Sequence, residues 1–335
     1  MQHREIIENI TEELLLDDIN YQSLRDKLQE FMKFLIELTQ LEFHEPIKDA
    51  DIQFENGIAL NTRDAAMCVV DIIRTRQFIR GILKAVQHVQ QQKSTTIKIM
   101  YAGTGPFAML ILPLLTKYTS DQLQLTLLEV NKDTIACLKR LIKKLEIEEY
   151  VAEIIQEDAS KHKTNKKEEI DIFISETMQF GLVKEQQVPI ALNLVSQLRK
   201  DVIMIPQNIK LDLTLMNADT ELIINNKFES RFKVLKTVLE FDTEFIHTNA
   251  EKIKRSNRIE LCEGLQFIEE TNNTFDRLAM LTSIQVYRDE WIHIDLSSLT
   301  IPKRILNIAD VKPTVNSISM DYVIKEIPDF EYKLT

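Results

Sequence analysis

The chain is poor in the residues that punctuate and cross-link a backbone. Its 335 residues include six glycines, eight prolines, one tryptophan and three cysteines. Cys68, Cys137 and Cys262 lie far apart, without a Cys-x-x-Cys pair or a neighbouring histidine. Neither a disulfide framework nor a structural zinc site is supported, and buried free thiols are expected. Positive charge is also short: 41 Lys and Arg stand against 52 Asp and Glu, a formal net charge of −11. Phosphate recognition needs clustered Lys and Arg, so a general nucleic-acid binder is excluded, whereas an acidic surface tolerates cationic substrates. No apolar stretch approaches the roughly 20 residues of a membrane span. The opening Met-Gln-His-Arg-Glu-Ile-Ile-Glu carries acids where a signal peptide would have its charged and apolar regions. A cytoplasmic protein without nucleic-acid or membrane partners is the expectation, and the length leaves room for about two domains.

Hydrophobic periodicity organises what is there. Between Glu5 and Glu42, Leu24, Leu28, Phe31, Phe34, Leu35 and Leu38 recur at helical spacing and predict an accessory region of amphipathic helices. A looser stretch with Pro46 and Gly57 follows. Thr62 to His88 reads as further helix, starting near Asp64, interrupted by Gly81, and able to cover a cofactor. From Ile97 to Pro206 strand and helix alternate as in a doubly wound parallel sheet. The strands expected are Ile97–Ala102, Leu123–Val130, Val151–Gln156, Ile170–Ser175 and Val202–Ile205; the helices are Phe107–Lys117, Lys132–Leu145 and Gln186–Leu198. Lys161 to Glu169 is a polar run read as a solvated connection. After Pro206 come short alternating segments, such as Lys210–Met216, Leu278–Tyr287 and Trp291–Leu296, which suggest an antiparallel sheet or small barrel. The fold class is therefore α/β: an N-terminal helical region over residues 1–60, a Rossmann-like core with its covering helix over 61–206, and a β-rich region over 207–335.

Candidate site residues gather at the carboxyl ends of the expected strands, where open α/β sheets bind ligands. After the first strand, Gly103, Thr104 and Gly105 form a turn in which glycine lets the backbone bend sharply and approach a ligand. Pro106 suits a first helical position. A third glycine is absent, as is any Gly-Lys-Ser/Thr, so diphosphate binding is the weaker reading. Glu129 ends the second strand, a position from which a carboxylate can accept ribose hydroxyls. Asp158 and the backbone of Ala159, after the third strand, either meet an adenine edge or make up a solvated strand end. Beyond the fourth strand stand Glu176 and Glu185, nine positions apart. They read either as a pair gripping a cation or as a strand-end acid plus an acid favoured by a helix N-terminus.

The order glycine turn, strand-end acid, Asp-Ala resembles a class I S-adenosylmethionine-dependent methyltransferase over residues 62–206. Ser175, Glu176, Met178 and Glu185, with Asp71, Arg74, Thr75 and Phe78 upstream, narrow the resemblance to the protein arginine methyltransferases, whose motifs carry these residues at the same spacing. The resemblance implies S-adenosylmethionine as cofactor and Glu176 and Glu185 as catalytic residues. It also implies that Arg74 holds the cofactor's carboxylate, that Met178 and Asp71 belong to the substrate pocket, and that a β-barrel follows the core. Arg76 and Arg80 compete with Arg74 by position. The chain departs from the family at Thr177, Gln179 and Phe180. It also lacks a Thr-His-Trp motif, for which His247 and His293 are substitutes, and a dimerisation arm, whose role the N-terminal helices would take in a homodimer.

A guanidinium is a poor nucleophile, because its lone pairs are delocalised and its pKa lies above about 12. Two carboxylates can clamp it, concentrate its charge on the far nitrogens and take up a proton. The expected function is methylation of a guanidino nitrogen of arginine, free or within a peptide or protein. The alternatives are methylation of another small metabolite or natural product, and a cofactor-binding scaffold without turnover.

Overall fold

The structure, a computed structural model, describes residues 2–42, 50–165, 169–218, 231–267, 275–312 and 315–335. Pro46 and residues 166–168 of the polar run lie outside them.

Helices α1 (Gln2–Leu15) and α2 (Tyr21–Thr39) open the chain. Asn20 starts α2 by accepting the Ser23 N–H at 3.0 Å, and Gln40 ends it in a left-handed conformation (φ 52°). Leu24, Leu28, Phe31, Leu35 and Leu38 are buried, and with Ile7, Ile10 and Leu14 of α1 they enter the same hydrophobic core as the sheet. The apolar faces of both helices are thus spent on their own chain.

A hairpin of β1 (Ile52–Phe54) and β2 (Gly57–Ala59) leads into α3 (Thr62–Met67). α3 starts at Thr62 as expected, with Asp64 in its first turn and Asn61 as the cap, accepting the Asp64 N–H at 2.9 Å. The helix expected from Thr62 to His88 is divided. After a 3-10 turn at Cys68–Val70, Asp71 is extended and caps α4 (Ile72–Gln92) by accepting the Arg74 N–H at 3.2 Å. Gly81 does not interrupt α4. A Cβ there would lie 2.5 Å from Val286 Cγ1, so glycine lets the helix press onto the β-rich region.

The core sheet contains β3 (Ile97–Ala102), β4 (Leu123–Glu129), β5 (Val151–Gln156), β6 (Ile172–Ser175) and β7 (Ile203–Ile205). All neighbours are parallel, in the order β5-β4-β3-β6-β7. The chain winds outward from β3 in one direction and then returns to β6, so the crevice of the doubly wound fold lies between β3 and β6. α5 (Leu114–Lys117), α6 (Lys132–Leu145) and α7 (Gln187–Leu194) connect the strands. Only the last turn of the helix expected at Phe107–Lys117 forms, and none begins at Pro106. Ala108 takes a positive φ of 43°, and Phe107 to Leu112 are all buried, so the run folds inward as turns instead of presenting a polar face. α7 ends four residues short of Leu198, tightening into a 3-10 turn at Val195–Gln197.

After Pro206 the chain builds two antiparallel sheets. β8 (Asn208–Met216) pairs with β9 (Phe232–Asp242) and β11 (Arg277–Tyr287), and β11 also pairs with β12 (Glu290–Ile292) and β13 (Lys303–Asn307). The strand expected at Trp291–Leu296 is therefore shorter and earlier. Helix α8 (Thr243–Ser256) leads to a second sheet of β10 (Arg258–Gln266), β14 (Ser317–Val323) and β15 (Asp329–Leu334).

Because α2 is fully engaged with the core, Leu35→Ala is expected to cost about 3 kcal/mol. Urea denaturation measures it; a loss within 0.5 kcal/mol, about the surface-substitution range, would mean the helix is an appendage.

Candidate active site

The carboxyl ends of β3, β4 and β6 open into one cavity with an empty volume, mouth included, of about 1000 Å³. Gly103 (φ 74°) and Gly105 (φ 60°) turn the chain out of β3. A Cβ on Gly103 would come within 2.2 Å of Thr177 Cγ2, so glycine is required there by contact as well as by conformation. Both glycines line the cavity, as does buried Thr104.

Glu129 closes β4 and is buried. One of its oxygens accepts the N–H groups of Val130 at 2.8 Å and Asn131 at 3.0 Å; the other accepts that of Gly105 at 3.1 Å. Burial raises its pKa despite these three donors. A carboxylate has about four acceptor sites, so the oxygen facing the glycine turn keeps capacity for a ligand hydroxyl.

At the end of β6, Glu176 forms a buried ion pair with Arg74 from the first turn of α4. Its Oε1 is buried and has no partner among the described residues. Glu185, also buried, lines the same cavity. Burial pushes the Glu176 carboxyl up to about 7, with the charge of Arg74 offsetting part of the rise; burial and then the Glu176 charge push Glu185 up to about 8. Burial alone would weaken the Arg74 cation, but Glu176 beside it more than compensates and its pKa is raised. Gln187 fixes the strand end: its amide oxygen accepts the Thr177 N–H at 3.0 Å and the hydroxyls of Thr177 and Ser175 at 3.1 and 3.3 Å.

Not every expected site residue reaches the cavity. Ala159 lines it, but Asp158 does not: one Asp158 oxygen accepts the Ser160 N–H and hydroxyl at 2.9 and 2.7 Å. Met178 is buried and does not line the cavity. Asp71 is also outside the lining. Besides capping α4, it accepts the Ser297 hydroxyl at 2.7 Å and the Ser298 N–H and hydroxyl at 2.9 and 2.7 Å. It therefore positions Arg74 and ties α4 to the β-rich region instead of facing a substrate. Arg76 and Arg80 turn away from the cavity to the carbonyls of Leu16 and Leu15, and Arg80 also pairs with Glu290. Neither histidine lines the cavity: His293 stacks on Trp291 with centroids 6.0 Å apart, and His247 sits on α8. Residues the sequence did not single out do line it, among them Ile58 of the hairpin, Cys68, Tyr101, Glu157 and Gln186.

Residues 69–205 match the family described as PRMT5 arginine-N-methyltransferase. No curated protein sequence matches the chain. Among solved structures, the chain is similar to the Trypanosoma brucei PRMT1 enzyme-prozyme heterotetrameric complex with AdoHcy, at 13% identity and a TM-score of 0.50, over 80% of this chain and 91% of that one. It is also similar to the open conformation of Arabidopsis thaliana protein arginine methyltransferase 10, at 12% identity and a TM-score of 0.52, over 81% and 96%. At these identities the structures speak for the fold alone. The family match is confined to residues 69–205, the sheet and its cavity, and the likeness to the two structures extends the shared fold over about 80% of the chain.

The raised carboxyls have a consequence for stability. Above the ordinary value of 4.5 the unfolded chain has released protons that the folded chain still holds on Glu176 and Glu185. Their contribution therefore falls as the pH rises towards about 8. Glu185→Gln should gain stability relative to the unmodified protein between about pH 5 and 9, read from urea titrations. A difference independent of pH would show that Glu185 is not raised.

Proposed function

We propose that the chain methylates a guanidino nitrogen of arginine or an arginine-like compound, with Glu176 and Glu185 as a clamp. The observation that carries this reading is the burial of two carboxylates with raised pKa values on one cavity wall, one of them with an oxygen that has no partner among the described residues. A buried acceptor of this kind calls for a donor from a ligand, and a planar fork of N–H groups satisfies two carboxylates at once.

S-adenosylmethionine supplies an electrophilic methyl group on a sulfonium. The residues that would hold it fit: the glycine turn leaves room for close approach, Glu129 keeps acceptor capacity for a hydroxyl, and Arg74 offers a fork suited to a carboxylate. On the substrate side, Glu176 and Glu185 orient the guanidinium and draw its charge away from the target nitrogen. With pKa values near neutrality, the pair can also hold the proton that nitrogen sheds. Apolar neighbours such as Ile58, Val69 and Ile190 line the same cavity and keep water from it. In this reading residues 61–206 form the cofactor half, and 207–335 a barrel-type substrate half.

Glu185→Gln is expected to lower turnover by about 10²- to 10⁴-fold while leaving cofactor affinity within a few-fold. The assay incubates protein with labelled S-adenosylmethionine and guanidino compounds, and identifies product by mass. Unchanged turnover in both Glu176→Gln and Glu185→Gln, or a product methylated away from any guanidino group, would overturn the reading.

A further inference from the structure

The main-chain edge beside Glu185 is already occupied by the chain itself. Ile58 of β2 forms a parallel bridge with Glu185, donating its N–H to the Lys184 carbonyl at 2.9 Å. Asn56, in the hairpin turn, accepts from the Gln186 amide at 2.6 Å and donates to the Ser160 hydroxyl at 2.9 Å. Glu55 pairs with Lys161 at 2.9 Å. Gly57 is pressed so close that a Cβ would lie 2.8 Å from Gln186 Cγ and 3.1 Å from the Glu185 carbonyl carbon. Across the site, the Ser297–Ser298 turn is docked on Asp71 at the head of α4.

An arginine within a polypeptide carries backbone on both sides. An extended peptide finds its affinity by adding main-chain hydrogen bonds to an exposed edge, with its side chains entering pockets. The edge that flanks the second carboxylate is filled by β2, and its last residue, Ala59, with Leu60 after it, continues as cavity wall. We propose that the β1–β2 hairpin is a specificity element that restricts the clamp to small guanidino compounds, free arginine or its close analogues, and excludes arginine within a polypeptide. The inference rests on the guanidino reading above. Asn56, bonded to both Gln186 and Ser160, is the positioning residue that holds the hairpin down.

The test compares kcat/KM for L-arginine and agmatine with that for a short blocked peptide with arginine at its centre. The expected preference for the small compounds is about 100-fold or more, the scale at which a filled site rejects a substrate lacking its fit. In Asn56→Ala the ratio should narrow about tenfold, the scale of one lost buried hydrogen bond, and amide exchange at Ile58 should quicken. Peptide turnover equal to or better than that of the small compounds would overturn the inference while leaving the guanidino reading intact. So would a folded Asn56→Ala whose exchange quickens with no change in the ratio. Should that variant not fold, the ratio in the unmodified protein decides. If no guanidino compound is methylated, the function reading fails and takes this inference with it.

Discussion

Burying Glu176 is tolerable because Arg74 is buried with it. A carboxylate removed from water without a partner costs several kcal/mol or takes up a proton, and here a second carboxylate, Glu185, lies within electrostatic reach. The guanidinium lets this cluster stay dry while remaining close to ionisation at neutral pH. Burial raises both carboxyls, and that one pairing holds the rise in check.

Arg74 is in place because Asp71 is. By capping α4 with one oxygen, Asp71 fixes where the helix begins and thus where its first turn points. With the other it gathers three donors from Ser297 and Ser298, a full complement for a half-buried carboxylate. Further along α4, Gln77 donates to the Trp291 carbonyl at 2.9 Å, and Arg80 reaches Glu290 at 3.0 Å. One helix thereby presents a cation to the cavity and registers the core against the β-rich half.

Much of this was legible in sequence. The apolar strands of the core could be read because fully buried parallel strands are continuous apolar runs, and their ends locate Gly103, Glu129 and Glu176 without further information. The spacing of Glu176 and Glu185 holds because both flank one short connection. What failed was local. Periodicity cannot distinguish an amphipathic helix from a buried run of turns, so Phe107–Leu112 was misassigned. A non-helical cap in mid-pattern, Asp71, looks like any helical acid. A glycine inside a helix reads as an interruption until its neighbour Val286 is known. The role of Asp71 and the closeness of the hairpin depend on residues from Ser160 to Ser298, partners that no local window contains.

The close contact at Gly81 bears on how the molecule folds. With no Cβ between them, the backbone of α4 and the side chain of Val286 form a seam that joins the two halves across Pro206. Separated at Pro206, the first half would lose the packing against this helix and the acceptors of Gln77 and Arg80, and the second would expose Val286. The change of texture in the sequence marks a change of architecture, but the packing runs through it. A cavity built on the first half therefore borrows part of its support from the second.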